Sequence, residues 1–166
     1  ILLGLVGSEM CIRDRLVMLD ESGRLNDEDI NTALHQIFTN VRLKSFVEIR
    51  GADRTPKGFE IAPAAFWVGL LLNDNILEKV HDIVKSWSEK DRKVFNRCAF
   101  NLDPEQEGPM KESYRYWIEF FSELSIKGLV DRGLNEEKYF ENFYSCIIER
   151  GPFSLQTQSH ESKDCS

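Results

Sequence analysis

The sequence predicts an α+β fold that is mostly helical, with one strand over about 41–50, and three observations predict it. Apolar residues recur at helical spacing through most of the chain. The period switches to two between Val41 and Arg50. A turn-rich stretch, Gly51 to Gly58, then separates that strand from an almost unbroken series of helical segments.

Taken in order, Asn26 to Thr39 carries Ile30, Leu34, Ile37 and Phe38 at i, i+4, i+7 and i+8. Asp27, Glu28 and Asp29 lie where a helix N-terminus favours negative charge, so an amphipathic helix is expected. From Val41 to Arg50, Val41, Leu43, Val47 and Ile49 fall on one side of a strand. Arg42, Lys44, Phe46, Glu48 and Arg50 fall on the other. Pro63 suits a first helical turn, and the residues after it (Ala64, Ala65, Phe66, Trp67, Val68, Leu70, Leu71, Leu72) are apolar all round, which predicts a buried helix.

Asn73 to Trp87 continues with Ile76, Leu77, Val80, Ile83, Val84 and Trp87 on one stripe. Ser88 with Asp91 has the spacing of a capping box, opening a short helix through Val94 and Phe95. Asn101 to Pro109 reads as a surface loop, because it combines Pro and Gly with acidic residues. Lys111 to Arg132 holds Tyr114, Trp117, Phe121, Leu124 and Leu129 at helical spacing and stops at Gly133, a natural C-cap. A last helix runs from about Asn135 through Phe140, Phe143, Tyr144 and Ile147 to Gly151 and Pro152. Residues 153–166 are read as a flexible tail, since the polar run from Gln156 has little to bury.

Composition narrows the function. With 166 residues, 42% of them hydrophobic, the chain can build one domain with a real core. A formal charge of −7 leaves no excess of Lys and Arg to displace counterions, so neither nucleic acid nor an anionic membrane is an expected partner. No apolar stretch reaches the roughly 20 residues of a membrane helix. Cys11, Cys98, Cys146 and Cys165 show no C-x-x-C pair and no His at ligand spacing, so no zinc site is expected and a reduced, cytoplasmic setting fits. The segment Leu5 to Arg15, LVGSEMCIRDR, resembles a sequencing adapter read through into an open reading frame. On that reading residues 1–15 are foreign, and the natural sequence starts near Leu16.

The charged face of the strand is where chemistry concentrates. Mixed charges on a solvated sheet are ordinarily cross-strand pairs. The same face also meets the needs of phosphoryl transfer: a hard carboxylate oxygen for Mg²⁺ and an Arg fork for charge developing on the transferred group. Glu48 and Arg50, two apart on a strand, lie about 6–7 Å apart at the backbone, within reach of one metal-bound phosphate.

The run VRLKSFVEIRGAD (Val41 to Asp53) followed by PAAFWVGLLLND (Pro63 to Asp74) is similar to the plant and proteobacterial branch of glutamate–cysteine ligases. There VRLK, E-x-R-G-A-D and P-A-F-W-V-G-L-L elements occur in this order and spacing. The resemblance implies that residues 16–152 are the C-terminal part of a catalytic domain with a glutamine-synthetase-like fold, in which the strand at 41–50 belongs to an antiparallel active-site sheet. It implies Glu48 as a Mg²⁺ ligand, and Arg50 as a catalytic contact to the transferred phosphoryl group or glutamyl phosphate. Arg42 and Lys44 would add charge for ATP and substrate on the same face. ATP, L-glutamate and L-cysteine are the implied partners, joined through γ-glutamyl phosphate in the first step of glutathione biosynthesis. Residues 16–166 alone, with one metal carboxylate, are expected to be inactive. Plant members carry a redox-regulatory Cys where this chain has Ile61 or its neighbour, so that switch does not carry over. Relatives are often Gly-rich after R-G-A-D, whereas Arg54, Thr55, Pro56 and Lys57 stand here.

Other residues are assigned to structure. Phe66 and Trp67 read as core, His35 and His81 as solvated or capping, Cys98 as a structural thiol, and Asp103 to Glu107 as a solvated loop. The competing readings are a ligase of the same superfamily using another amine, and a helical interaction module whose charged strand is a solvated edge.

Overall fold

The computed structural model describes residues 17–18, 20–30, 41–43, 46–52 and 54–157, leaving the side chains of Arg42 and Leu43 outside that description. The chain divides into two units, Ile1–Asp53 and Arg54–Ser166. In the first, residues 27–30 are helical. The Asp29 amide donates to Asn26 Oδ1 at 3.0 Å and the Asn26 amide to Asp29 Oδ2 at 3.4 Å, a reciprocal cap that fixes where the helix starts. The remainder of the helix expected to Thr39 lies outside the described residues. Next come two short strands, β1 (Val41–Leu43) and β2 (Val47–Ile49), paired antiparallel.

The second unit is helical: α1 (Ala62–Leu71), α2 (Asp74–Ser86), α3 (Glu89–Cys98), α4 (Tyr114–Arg132) and α5 (Lys138–Arg150). The helix boundaries follow local chemistry. Asn73 caps α2 by accepting from the Ile76 amide at 3.2 Å. Ser88 and Asp91 form the expected capping box on α3. Gly133 ends α4 at φ +68°, a conformation that costs an L side chain about 1–2 kcal/mol. Residues 153–157, assigned to the tail from composition, form a further helical turn in which Phe153 lies 5.6 Å from Phe59 and 5.9 Å from Phe143, centroid to centroid.

Helix α1 is the centre of this unit, packing chiefly on α4 and also on α2 and α5. Ala62, Ala65, Leu129 and Phe140 form its buried core, with Phe59, Phe66, Ile126, Phe143 and Tyr144 packed against them. The α1–α4 crossing is unusually close. Ser125, fully buried, donates its hydroxyl to the Phe66 carbonyl at 2.9 Å. Gly69 and Gly128 meet backbone to backbone: a Cβ on Gly128 would sit within 2.9 Å of the Gly69 carbonyl carbon and nearer still to its oxygen. The buried side of α4 is therefore Trp117, Ser122, Ser125, Gly128 and Leu129, made largely of small residues.

A second, aromatic cluster joins α2, α3 and α4. Trp87 packs edge-on against Trp117 at 4.9 Å and on Phe95 at 5.1 Å, and Phe121 and Tyr114 complete the group. The stretch expected as a loose surface loop is tied to this cluster. Trp117 Nε1 donates to the Pro109 carbonyl at 3.0 Å, Gln106 Nε2 to the Cys98 carbonyl at 2.9 Å, and Glu107 bridges Ser113. Its tip is a tight turn closed by the Glu112 amide on the Pro109 carbonyl at 3.1 Å. Met110 and Lys111 hold φ of +57° and +66° there, a pair of left-handed conformations that suits Asn-Gly. Lys111→Gly is accordingly expected to stabilise the chain by about 0.5–1 kcal/mol, the relieved strain exceeding the entropy cost of Gly. Thermal melts should show a rise of about 2 °C; a fall would mean that the Lys111 side chain contributes more than its backbone costs.

The same turn is fastened to α3 by Asp91. Its carboxylate accepts from the Ser88 hydroxyl at 2.5 Å, the Ser88 amide at 2.9 Å and the Met110 amide at 3.4 Å, and these bonds hold its pKa below the ordinary aspartate value. A carboxyl depressed in the folded state stabilises above its unfolded pKa, and that contribution is lost as pH falls through the folded value. The expected result is a melting-temperature gap between wild type and Asp91→Asn that is present at pH 7 and closes as the pH drops below the usual aspartate range. A gap unchanged down to acid pH would remove the carboxylate from the explanation.

Candidate active site

The strand expected to run unbroken from Val41 to Arg50 is instead a hairpin. The Cα partners are Val41 with Ile49, Arg42 with Glu48, and Leu43 with Val47. Between the strands lie residues 44–46, a loop length that favours a hairpin; Lys44 and Ser45 are outside the described residues. The physical reason the alternation misled is that a direct cross-strand register preserves it. Odd positions still share one face of the ladder and positions 42 and 48 the other, so the pattern cannot distinguish one strand from two.

The distances change, however. Residues 42 and 48 would be about 20 Å apart along one strand. As register partners their Cα atoms are about 4.5–5.5 Å apart.

Glu48 is half-buried in β2, while Arg50 follows the last residue of that strand and is exposed. The structure thus brings Arg42, Glu48 and Arg50 together on one hairpin, and leaves the position of Lys44 undescribed. It does not show the larger antiparallel sheet or the glutamine-synthetase-like fold; the sheet described is two-stranded. Among the described residues no group of three His, Cys, Asp or Glu side chains converges as a metal site. Glu48 supplies one hard oxygen donor. That suits a Mg²⁺ ion, which keeps several waters and takes one or two carboxylates together with substrate phosphates.

Outside the hairpin, a groove of about 470 Å³ lies against α2 and α4, lined by Asn75, Glu78, Lys79, Asp82, Lys127 and Asp131 among others. Lys127 and Asp131 already pair at 3.2 Å, and the lining holds no nucleophile with an adjacent base. Sequence reasoning did not find it, because its walls come from helices some fifty residues apart. Cys98 is buried and donates to the Glu107 carbonyl at 3.7 Å, and burial pushes its thiol pKa up, which fits a structural residue. Among the described residues no helix is long and apolar enough to cross a membrane.

The hairpin and α1 both lie within residues 10–101, which match glutamate-cysteine ligase family 2, and the chain belongs to that family. It is 35% identical over 109 residues to glutamate–cysteine ligase A, chloroplastic, of Oryza sativa subsp. indica, covering 65% of this chain and 22% of the relative. It is 41% identical over 111 residues to the Brassica juncea chloroplastic enzyme, covering 65% and 21%, and 32% identical over 150 residues to that of Medicago truncatula, covering 89% and 27%. The matched part of the chain spans only about a fifth to a quarter of the length of these relatives. All three carry chloroplastic in their names, and this overturns the cytoplasmic setting expected from the cysteines. The cysteine argument distinguishes oxidising from reducing surroundings, and does not say which reducing compartment holds the protein.

Proposed function

We propose that this chain is part of an ATP-dependent ligase that joins the γ-carboxyl of L-glutamate to the amine of L-cysteine, the first step of glutathione biosynthesis. The observation that carries the reading is the family match over residues 10–101, which includes the hairpin bearing Glu48 and Arg50. The interaction-module alternative has no comparable support.

A carboxylate is a poor electrophile until one of its oxygens becomes a good leaving group. Transfer of the ATP γ-phosphoryl to the glutamate γ-carboxylate gives ADP and an acyl phosphate. The cysteine amine then attacks the acyl carbon, phosphate departs with the C–O bond electrons, and the nitrogen loses a proton. Glu48 would be one ligand of a Mg²⁺ ion that neutralises phosphate charge when bound. Arg50 would face charge developing on the transferred group, where a planar guanidinium offers two parallel hydrogen bonds to phosphate oxygens.

The test is Mg²⁺-dependent ADP release by the full-length protein with glutamate, in the presence and absence of cysteine. Cysteine-dependent release is the expected result. Release driven equally by other amines would assign the chain to a sister ligase, and no release with any amine would end the ligase reading.

A further inference from the structure

The chain leaves α5 through Gly151, at φ +76° and ψ −178°. Backbone in that region is open essentially to glycine alone. After the bend comes the helical turn 153–157, in which Ser154, Leu155 and Thr157 are exposed and Phe153 and Gln156 are half-buried. Gln156 Nε2 donates to the Gly151 carbonyl at 2.7 Å and lies 3.9 Å from Cys146 Sγ of α5, so the turn folds back on the helix it has just left.

Phe153 is the point at which this turn meets the loop before α1. Phe59 packs on Phe153 at 5.6 Å and edge-on against Phe143 of α5 at 5.7 Å, centroid to centroid. Short-range bonds shape the loop itself. The Thr55 hydroxyl donates to the Phe59 carbonyl at 2.9 Å, the Phe59 amide to the Pro56 carbonyl at 3.1 Å, and the Gly58 amide to Glu60 Oε2 at 2.9 Å. The aromatic contacts fasten the shaped loop to the helical unit. In sequence, this loop joins the R-G-A-D element to α1.

We propose that residues 151–157 are a strap, hinged at Gly151, which closes on Phe59 and holds the loop 54–61 in its folded form. A single turn held by two half-buried side chains opens at much lower cost than the whole unit unfolds. Opening uncovers Phe59 and Phe143 and releases the loop, whose order is therefore set from the far end of the described chain. The hinge and the contact are separable. A Cβ at position 151 would meet nothing closer than Leu155 Cδ1 at 3.9 Å, so an L residue there opposes the bend through its backbone and leaves the Phe59 packing surface unaltered.

The experiment is amide hydrogen exchange read by mass spectrometry on the full-length protein, with Phe153→Ala, Phe153→Leu, Gly151→Ala and Asp91→Asn. Peptides covering residues 55–62 are expected to exchange about threefold faster or more in Phe153→Ala, and likewise in Gly151→Ala. Phe153→Leu keeps apolar bulk at the contact and should retain part of the protection. Asp91→Asn weakens the unit through its bonds to Ser88 and Met110, and should leave exchange in this loop at the wild-type rate. Wild-type exchange in Gly151→Ala would remove the hinge and overturn the strap, as would unchanged exchange in Phe153→Ala. Equal acceleration in Asp91→Asn would trace the effect to loosening of the whole unit and overturn it too.

Discussion

Gly128→Ala is expected to destabilise the helical unit by about 3 kcal/mol or more, and Gly69→Ala by a similar amount. Overpacking ordinarily costs about 1–3 kcal/mol, with relief coming from side chains that change rotamer. That relief is missing here. The added methyl at Gly128 would meet the Gly69 carbonyl, and the one at Gly69 would meet the Ser125 backbone, with Ser125 Oγ 2.6 Å away. Backbone atoms inside two packed helices give way only if the helices separate. Separation would also stretch the Ser125 hydroxyl bond to the Phe66 carbonyl and loosen the packing of Leu129 on Ala62 and Ala65. The better helix propensity of Ala, about 1 kcal/mol over Gly, does not offset this. Chemical denaturation should show a lower midpoint with an unchanged slope. A variant as stable as wild type would mean that the two helices do not cross at these glycines in solution.

This crossing also marks the limit of what the sequence made legible. The α2 and α3 starts at Asn73 and Ser88 and the α4 end at Gly133 were readable, because caps are local chemistry. The apolar helix after Pro63 was legible as a helix, but its burial is one-sided: Ala65 and Leu70 are buried, Phe66, Trp67, Val68 and Leu71 are half-buried, and Ala64 and Leu72 are exposed. The α4 partner surface was legible only in part. Large apolar residues at helical spacing pick out Trp117 and Leu129, which are buried, and Tyr114, Phe121 and Leu124, which are half-buried, but they pass over Ser122, Ser125 and Gly128, which are buried as well. The available signal was a glycine in the interior of each helix, a choice that costs about 1 kcal/mol and calls for a packing reason.

The site shows the same division. Motif order picked out Glu48 and Arg50 as neighbours, but a two-residue period is blind to a reversal of chain direction. The pairing of Arg42 with Glu48 therefore had to come from the ladder itself. The strand length was misjudged for that reason, and the side chains of Arg42 and Lys44, expected on the same face as Glu48, lie outside the described residues.

Glu48→Gln in the full-length protein is expected to lower cysteine-dependent ADP release by about 100-fold or more at ordinary Mg²⁺ concentrations. Gln matches Glu in size, so the fold has no reason to change. A half-buried position on a short ladder contributes little to stability through charge alone. What changes is the donor. A neutral amide oxygen replaces an anionic carboxylate oxygen, and Mg²⁺, a hard and strongly hydrated ion, is held poorly by one neutral oxygen in exchange for a water. A loss caused by weakened metal binding should recede as Mg²⁺ is raised, whereas one caused by misfolding should not, and thermal melts of the variant should overlay those of wild type. Retention of a third or more of the activity at low Mg²⁺ would show that the metal is held by other residues of the protein. The charged side of this hairpin would then be only a cross-strand pair on a sheet.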